Sequence, residues 1–254
     1  MNILVANDDG IKSEGIYRLV ETLSRDAKIY IAAPHIQRSA SGHSISIGIP
    51  LFANEIEFDN AELAFEITGT PADCVKLGLN LLATRGIDID MVFSGINHGG
   101  NLGTDTLYSG TVSAAMEGCL CGKPSVAVSV NSHFPRHFDF ACELAAGALR
   151  NAYGVIRSGT LININTPNLP KNEIKGVKYA GLGMREYNER FIPQKAENGA
   201  LQYMYTGEPK YYESDDTGID VIAMQEGYAT VTPLKYDLTD YALLSELYKW
   251  RIDK

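Results

Sequence analysis

Three short loops concentrate the residues whose types and spacing suit chemistry: Asn7-Asp8-Asp9-Gly10, the segment HIQRSASGHS at 35–44, and SGINHGGNLGTD at 94–105. Adjacent carboxylates such as Asp8 and Asp9 repel each other, so ionising both is costly unless a cation or a helix N-terminus offsets the charge. A divalent metal resolves that cost. The competing reading is a plain Asp-Gly turn leading into the next helix, with one carboxylate solvated. Ser39 and Asn97, in the other two loops, offer neutral oxygens that would complete a hard, all-oxygen donor set suited to Mg²⁺ or Mn²⁺. Taken singly, Ser39 is one serine among several and Asn97 can bond its own turn.

Glycine adds a second signal. The stretch SGINHGGNLG holds four glycines in ten residues, and Ser109-Gly110-Thr111 runs straight into a helical pattern. Backbone N–H groups in such a loop and at a helix start make an anion site. No Walker A or dinucleotide-binding glycine signature is present, so this is not a standard nucleotide fingerprint. Candidate phosphate and substrate contacts are Asn7, Gly42, His43, Asn101, Ser109, Gly110 and Thr111. His43 and His98 could donate to a phosphate or a leaving oxygen. His35, His133 and His137 have no grouping that marks them. Asp73 reads as a helix cap and Cys74 as a core residue.

The elements that must position these loops follow from periodicity. Residues 2–6 are a branched apolar run ended by polar residues, the pattern of a strand buried on both faces. A helix begins after Ser13, a candidate N-cap, with Ile16, Leu19, Val20 and Leu23 on one face. A second strand at 28–34 completes a β-α-β unit and predicts a parallel sheet. After strands or hairpins within 40–67, Thr70-Pro71-Ala72-Asp73 opens a helix over 71–84. The series continues with a strand near 90–94, a helix near 110–121, a strand at 124–130, a helix within 138–152 and a strand at 160–167. These repeated units predict an α/β, Rossmann-like, doubly wound and mainly parallel sheet, in which ligands bind beyond the carboxyl ends of the strands. The predicted catalytic core covers 1–170. The remainder, 171–254, is expected to be a C-terminal extension that completes the core, with extended pieces at 176–182 and 200–206 and an acidic loop ESDDTGID. A helix near 218–225, a strand at 228–234 and a helix opened by Thr239-Asp240, carrying Leu243, Leu244, Leu247 and Trp250, close it.

The chain has 254 residues, a net charge of -9 and no basic run, which argues against a nucleic acid polymer as partner. Four cysteines, Cys74, Cys119, Cys121 and Cys142, show neither zinc-like spacing nor pairing and read as core thiols of a reducing compartment. The N-terminus lacks a charged leader and no apolar run is long enough to span a bilayer, so the expectation is a cytoplasmic protein without a membrane partner.

Several long blocks resemble the SurE family of survival proteins: ILVANDDGI at 3–11, AAPHIQRSASGHSISI at 32–47, ITGTPADCVKLGLN at 67–80, and FSGINHGGNLGTDTLYSGTVSAAMEG at 93–118. LININTP at 161–167 and EGYATVTPLKYDLTD at 226–240 extend the likeness over nearly the whole chain. The resemblance implies a nucleotidase acting on nucleoside 5′-monophosphates, with 3′-monophosphates and short polyphosphate as further substrates. It implies one divalent ion per subunit, Mn²⁺ or Mg²⁺, on Asp8, Asp9, Ser39 and Asn97, with attack by a metal-activated water and Asp8 or Asp9 handling a proton. It also implies a homodimer or homotetramer in which the C-terminal half reaches a neighbouring subunit. Gly99-Gly100 departs from the more usual Gly-Pro of the family. A phospho-receiver switch, the rival from another class, needs an Asp ending the third core strand; Asp59 follows only a broken strand pattern. An aspartyl-nucleophile phosphatase lacks its Asp-x-Asp spacing after the first strand, where Asp8 and Asp9 are adjacent.

Overall fold

The computed structural model describes residues 1–157, 159–211 and 218–250. Its strands are β1 (Asn2–Ala6), β2 (Lys28–Pro34), β3 (Ala53–Ile56), β4 (Leu63–Ile67), β5 (Met91–His98), β6 (Ser125–Asn131), β7 (Thr160–Pro167), β8 (Val177–Tyr179), β9 (Tyr187–Lys195), β10 (Leu201–Pro209) and β11 (Ala229–Lys235). The helices are α1 (Glu14–Leu23), α2 (Pro71–Ala83), α3 (Gly110–Leu120), α4 (Asp139–Ala152), α5 (Asp220–Gln225) and α6 (Tyr241–Leu247).

A nine-stranded sheet runs β3-β4-β2-β1-β5-β6-β7-β11-β8, and β10 pairs with β9 apart from it. The run from β4 to β7 is parallel throughout, while β3 and β11 lie antiparallel to their inner neighbours. The fold is therefore α/β and doubly wound. In β1, Ile3, Leu4, Val5 and Ala6 are all fully buried. Ile3 and Val5 pack with the apolar stripes of α1 and α4 on one face, and Leu4 and Ala6 with α2 and α3 on the other. Each such aliphatic side chain contributes roughly 1.5–3 kcal/mol when fully buried, so a continuous apolar run suits this strand and an alternating one would not. Strand order reverses at β1, whose two neighbours are β2 and β5. The loops after β1 and β5 flank that switch point, where a crevice forms.

Local chemistry sets the helix starts. Thr70 and Asp73 form a reciprocal capping box on α2, with Pro71 at its first turn. Ser13 precedes α1 in extended conformation but does not cap it. Its hydroxyl instead accepts the Asn7 side-chain N–H at 2.8 Å, bracing the NDDG turn.

Several expectations need correction. The fifth strand does not stop at 94. It continues to His98, with a register irregularity against β6 between Ser94 and Asn97. A Cβ on Gly95 would sit 2.3 Å from the Val128 carbonyl oxygen, so only glycine permits this close passage. Residues 40–52 form irregular loop, and pairing begins with β3. The extended piece at 176–182 shrinks to β8, and β9 was not anticipated at all. Cys121 is exposed, because it follows the last turn of α3 where the chain bends into Gly122; the other three cysteines are buried. In α6, capped by Asp240 as expected, Leu243 and Leu244 stay exposed, and Trp250 lies beyond the helix. The first residues of the acidic loop, 213–217, fall outside the described residues. Two strands that follow residue 170, β8 and β11, belong to the main sheet.

Candidate active site

The NDDG turn leaves β1 and meets the N-terminus of α3. Asp8 is 4% exposed, and its Oδ1 accepts the Thr111 hydroxyl at 2.6 Å. Gly110 is required here, since a Cβ on it would lie 2.7 Å from the Asp8 Cβ. The positive end of α3 thus abuts a carboxylate. Burial, opposed by the Thr111 hydroxyl and reinforced by the charge of Asp9, pushes the Asp8 carboxyl up to about 7. Asp9 is held by the backbone N–H of His98 at 2.9 Å and by Gln37 Nε2 at 3.2 Å. Burial raises its carboxyl as well, against the bond from His98.

Gln37 Nε2 also donates to Ser39 Oγ at 2.9 Å, which ties the second loop to Asp9. Asn97 spends its side-chain N–H on the Gly99 carbonyl at 2.7 Å, and its Oδ1 accepts no hydrogen bond among the described residues. Among the described residues no three His, Cys, Asp or Glu side chains gather as a metal cluster. The donor set is instead two carboxylates, a hydroxyl and an amide oxygen. Two carboxyls shifted upward chiefly by burial, with the neutral side chains of Ser39 and Asn97 in the lining of the adjoining cleft, fit a hard divalent cation.

These groups open into a cleft of about 730 Å³ lined by Asp8, Ser39, Asn97, His98, Asn101 and Ser109. Asp105, Tyr108, Arg185, Tyr187 and Glu208 also line it. Asp9 is not in the lining; it stands behind, gripped by its two donors. The candidate phosphate contacts therefore divide. Asn101 and Ser109 line the cleft, and Gly110 and Thr111 touch Asp8. Asn7 bonds the Gly10 carbonyl and Ser13, and the Gly42 N–H goes to the Tyr108 carbonyl at 3.0 Å. His43 bonds Glu117 at 2.9 Å and borders a separate apolar pocket with Leu107 and Met116. The structure does not bring these last three to the cleft.

Sequence reasoning passed over His133, Arg185, Tyr187 and Asp105. His133 follows β6, and a search of every strand end would have reached it; it lines the cleft beside Gly99. Arg185 bonds Asp105 at 3.2 Å and the Gly100 carbonyl at 3.3 Å, and the Tyr187 hydroxyl donates to Asp105. Buried Asp220 accepts the N–H groups of Gly103 and Gly183, each at 2.8 Å, and so clamps the glycine-rich loop to the segment bearing Arg185. No local pattern signals this long-range junction.

Residues 3–189 match the family model described as survival protein SurE. The chain is 44% identical over 251 residues to the 5′-nucleotidase SurE of Pelotomaculum thermopropionicum, covering 98% of this chain and 95% of that one. It is 42% identical over 253 residues to the 5′-nucleotidase SurE of Moorella thermoacetica, covering 97% and 95%. Its fold superposes on the crystal structure of a SurE protein from Aquifex aeolicus with a TM-score of 0.83, at 35% identity, over 98% of this chain and 99% of that one.

Proposed function

The chain belongs to the SurE family, and on that premise we propose that its cleft hydrolyses nucleoside 5′-monophosphates with the help of one divalent cation per subunit. It is an enzyme of the 5′-nucleotidase kind, the activity its relatives are named for. What supports the metal reading is the donor set: Asp8, Ser39 and Asn97 share the cleft lining, and Gln37 bonds both Asp9 and Ser39. Asp8, Asp9, Ser39 and Asn97 would hold Mn²⁺ or Mg²⁺. When bound, such a cation supplies Lewis acidity and a nucleophile usable at neutral pH.

The chain's own residues do the rest. Thr111 fixes the Asp8 carboxylate through Oδ1, which leaves Oδ2 to hold a proton during turnover. Asp9 has both oxygens engaged by Gln37 and His98 and serves as a fixed negative ligand. The cleft lining carries His98, His133 and Arg185, donors for phosphate oxygens once a bound cation offsets the acids Asp8, Asp105 and Glu208 of the same lining. Tyr108 and Tyr187, in the lining of the same cleft, offer aromatic faces of the size a base needs.

The proposed range extends to 3′-monophosphates and short polyphosphate, whose terminal groups present the same oxygens. We place the protein in the cytoplasm, a reading supported by free thiols at all four cysteines. We also propose a homodimer or homotetramer, because α6 and the β9–β10 pair expose Phe191, Tyr203 and Leu243.

The deciding experiment measures phosphate release from 5′-AMP, 3′-AMP and tripolyphosphate in Mn²⁺, Mg²⁺ or chelator. Release from 5′-AMP should need the metal. Full turnover by exhaustively dialysed enzyme in chelator would overturn the metal assignment while leaving the nucleotidase assignment intact.

A further inference from the structure

The loop that carries Ser39 is tied down on both sides. Arg38 N–H donates to the Asp8 carbonyl at 2.7 Å, and Gly42 N–H to that of Tyr108 at 3.0 Å. Further along, the Ser46 N–H and hydroxyl both donate to Asp73, at 2.9 and 2.7 Å. The Thr70 hydroxyl donates to the Ser44 carbonyl at 2.7 Å. Between these ties, His43 Nε2 meets Glu117 Oε2 at 2.9 Å.

Glu117 is only 2% exposed, and its other oxygen accepts Lys76 Nζ at 2.6 Å. A carboxylate so buried is sustained only by partners, and its partners here are Lys76 of α2, His43 of the loop and, more weakly, the Cys121 thiol at 3.7 Å. It does not line the cleft, so phosphate chemistry does not account for it. Its helix does, however, begin at the cleft. Thr111 in the first turn of α3 fixes Asp8, and Glu117, about 9 Å further along the axis, fixes His43. One rigid helix thereby sets the spacing between a carboxylate ligand and the loop that must bring Ser39 to it. The loop needs such help, because Ala40, next to Ser39, has φ 54°, a left-handed conformation that residues with a Cβ disfavour.

We propose that Glu117 and His43 are positioning residues: the pair, backed by Asp73 and Ser46, holds the Ser39 loop in register with Asp8 and Asp9, and His43 acts through the loop and not on the substrate. The proposal rests on Ser39 being a cation ligand. His43→Leu removes the donor, whereas His43→Gln keeps a side-chain N–H at similar reach. Two readouts apply to the purified protein: amide hydrogen exchange over residues 38–47 in chelator, and Mn²⁺ affinity by titration calorimetry. In His43→Leu, exchange in the loop should rise about tenfold while β1 and α3 stay protected, and the Mn²⁺ dissociation constant should rise about tenfold. His43→Gln should restore both to within about threefold of the parent. Unchanged exchange and affinity in His43→Leu would overturn the proposal. So would lost turnover with both unchanged, which would put His43 on the substrate instead. A parent protein that binds no Mn²⁺ would sink the ligand role of Ser39, and the exchange comparison would then decide by itself whether the pair holds the loop.

Discussion

The parallel sheet and the β9–β10 pair both supply walls of the cleft, yet they are held in opposite ways. The central strands are short, 5 residues in β1 and 7 in β6, and buried on both faces. The paired strands are longer, 9 residues each, and mostly exposed. Phe191 and Tyr205 lean on each other at 5.2 Å between ring centres while remaining 65% and 56% exposed. A lone two-stranded hairpin is marginal in water, so this one depends on its ends, where Tyr187 meets Asp105 and Lys210 meets Glu186 at 2.7 Å. The sheet gives the groups proposed to react fixed coordinates. The hairpin offers contacts at the outer edge, where exactness matters less.

Breaking the fixed side should have the largest effect. Asp8→Asn preserves size and the bond from Thr111 but removes the charge, so turnover should fall on the order of a thousandfold. The melting temperature should stay within a few degrees, because a buried carboxyl already raised to about 7 gains little stability from ionising near neutrality. A variant that keeps its rate, measured by phosphate release, would move the reacting centre away from the sheet.

The contrast in stability comes next. Phe93 is fully buried in β5, and Phe93→Ala should cost about 3–5 kcal/mol in urea unfolding. Phe191→Ser on the hairpin should change protomer stability by no more than about 0.5 kcal/mol, yet weaken self-association in light scattering. Equal costs at both positions would erase the distinction.

The smallest effect is pH-dependent and tests the helix that links the two loops. The bond from His43, aided by Lys76 and opposed by burial, lowers the Glu117 carboxyl from 4.5 to about 2. A depressed folded value contributes stability that is fully present above 4.5 and is lost as pH falls toward about 2. Glu117→Gln should therefore be less stable than the parent above pH 4.5, with the gap closing as pH approaches 2. Thermal melts at several pH values read this directly, and a gap that persists unchanged at the acid end would assign the loss to packing alone.

What the sequence disclosed follows the range of the interactions. The strands of the parallel core, the capping box of α2 and the three loops at strand ends are local patterns, legible residue by residue. Strand β9 was not, because YNERFIPQK carries a proline and no alternation toward a buried face. The partner of His43 lies 74 positions away, and Asp220 and Arg185, which anchor the glycine-rich loop, lie 117 and 85 positions from the glycines they hold, so nothing nearby marks them. Steric demands were equally silent. A Cβ on Gly15 would fall 1.9 Å from the Ile96 carbonyl oxygen, a constraint that exists only once α1 has docked beside β5.

The pairing of Tyr187 with Pro209 places the two ends of the hairpin side by side. Everything between them can be exchanged as a cassette through a single pair of adjacent junctions, without disturbing the sheet. Residues 188–208, which include Gly207 and Glu208 of the cleft lining, are thus a natural site for recombination between relatives. A lineage, or an engineer, can retune which molecules enter the cleft by swapping that cassette, while the groups that break the bond are inherited unaltered.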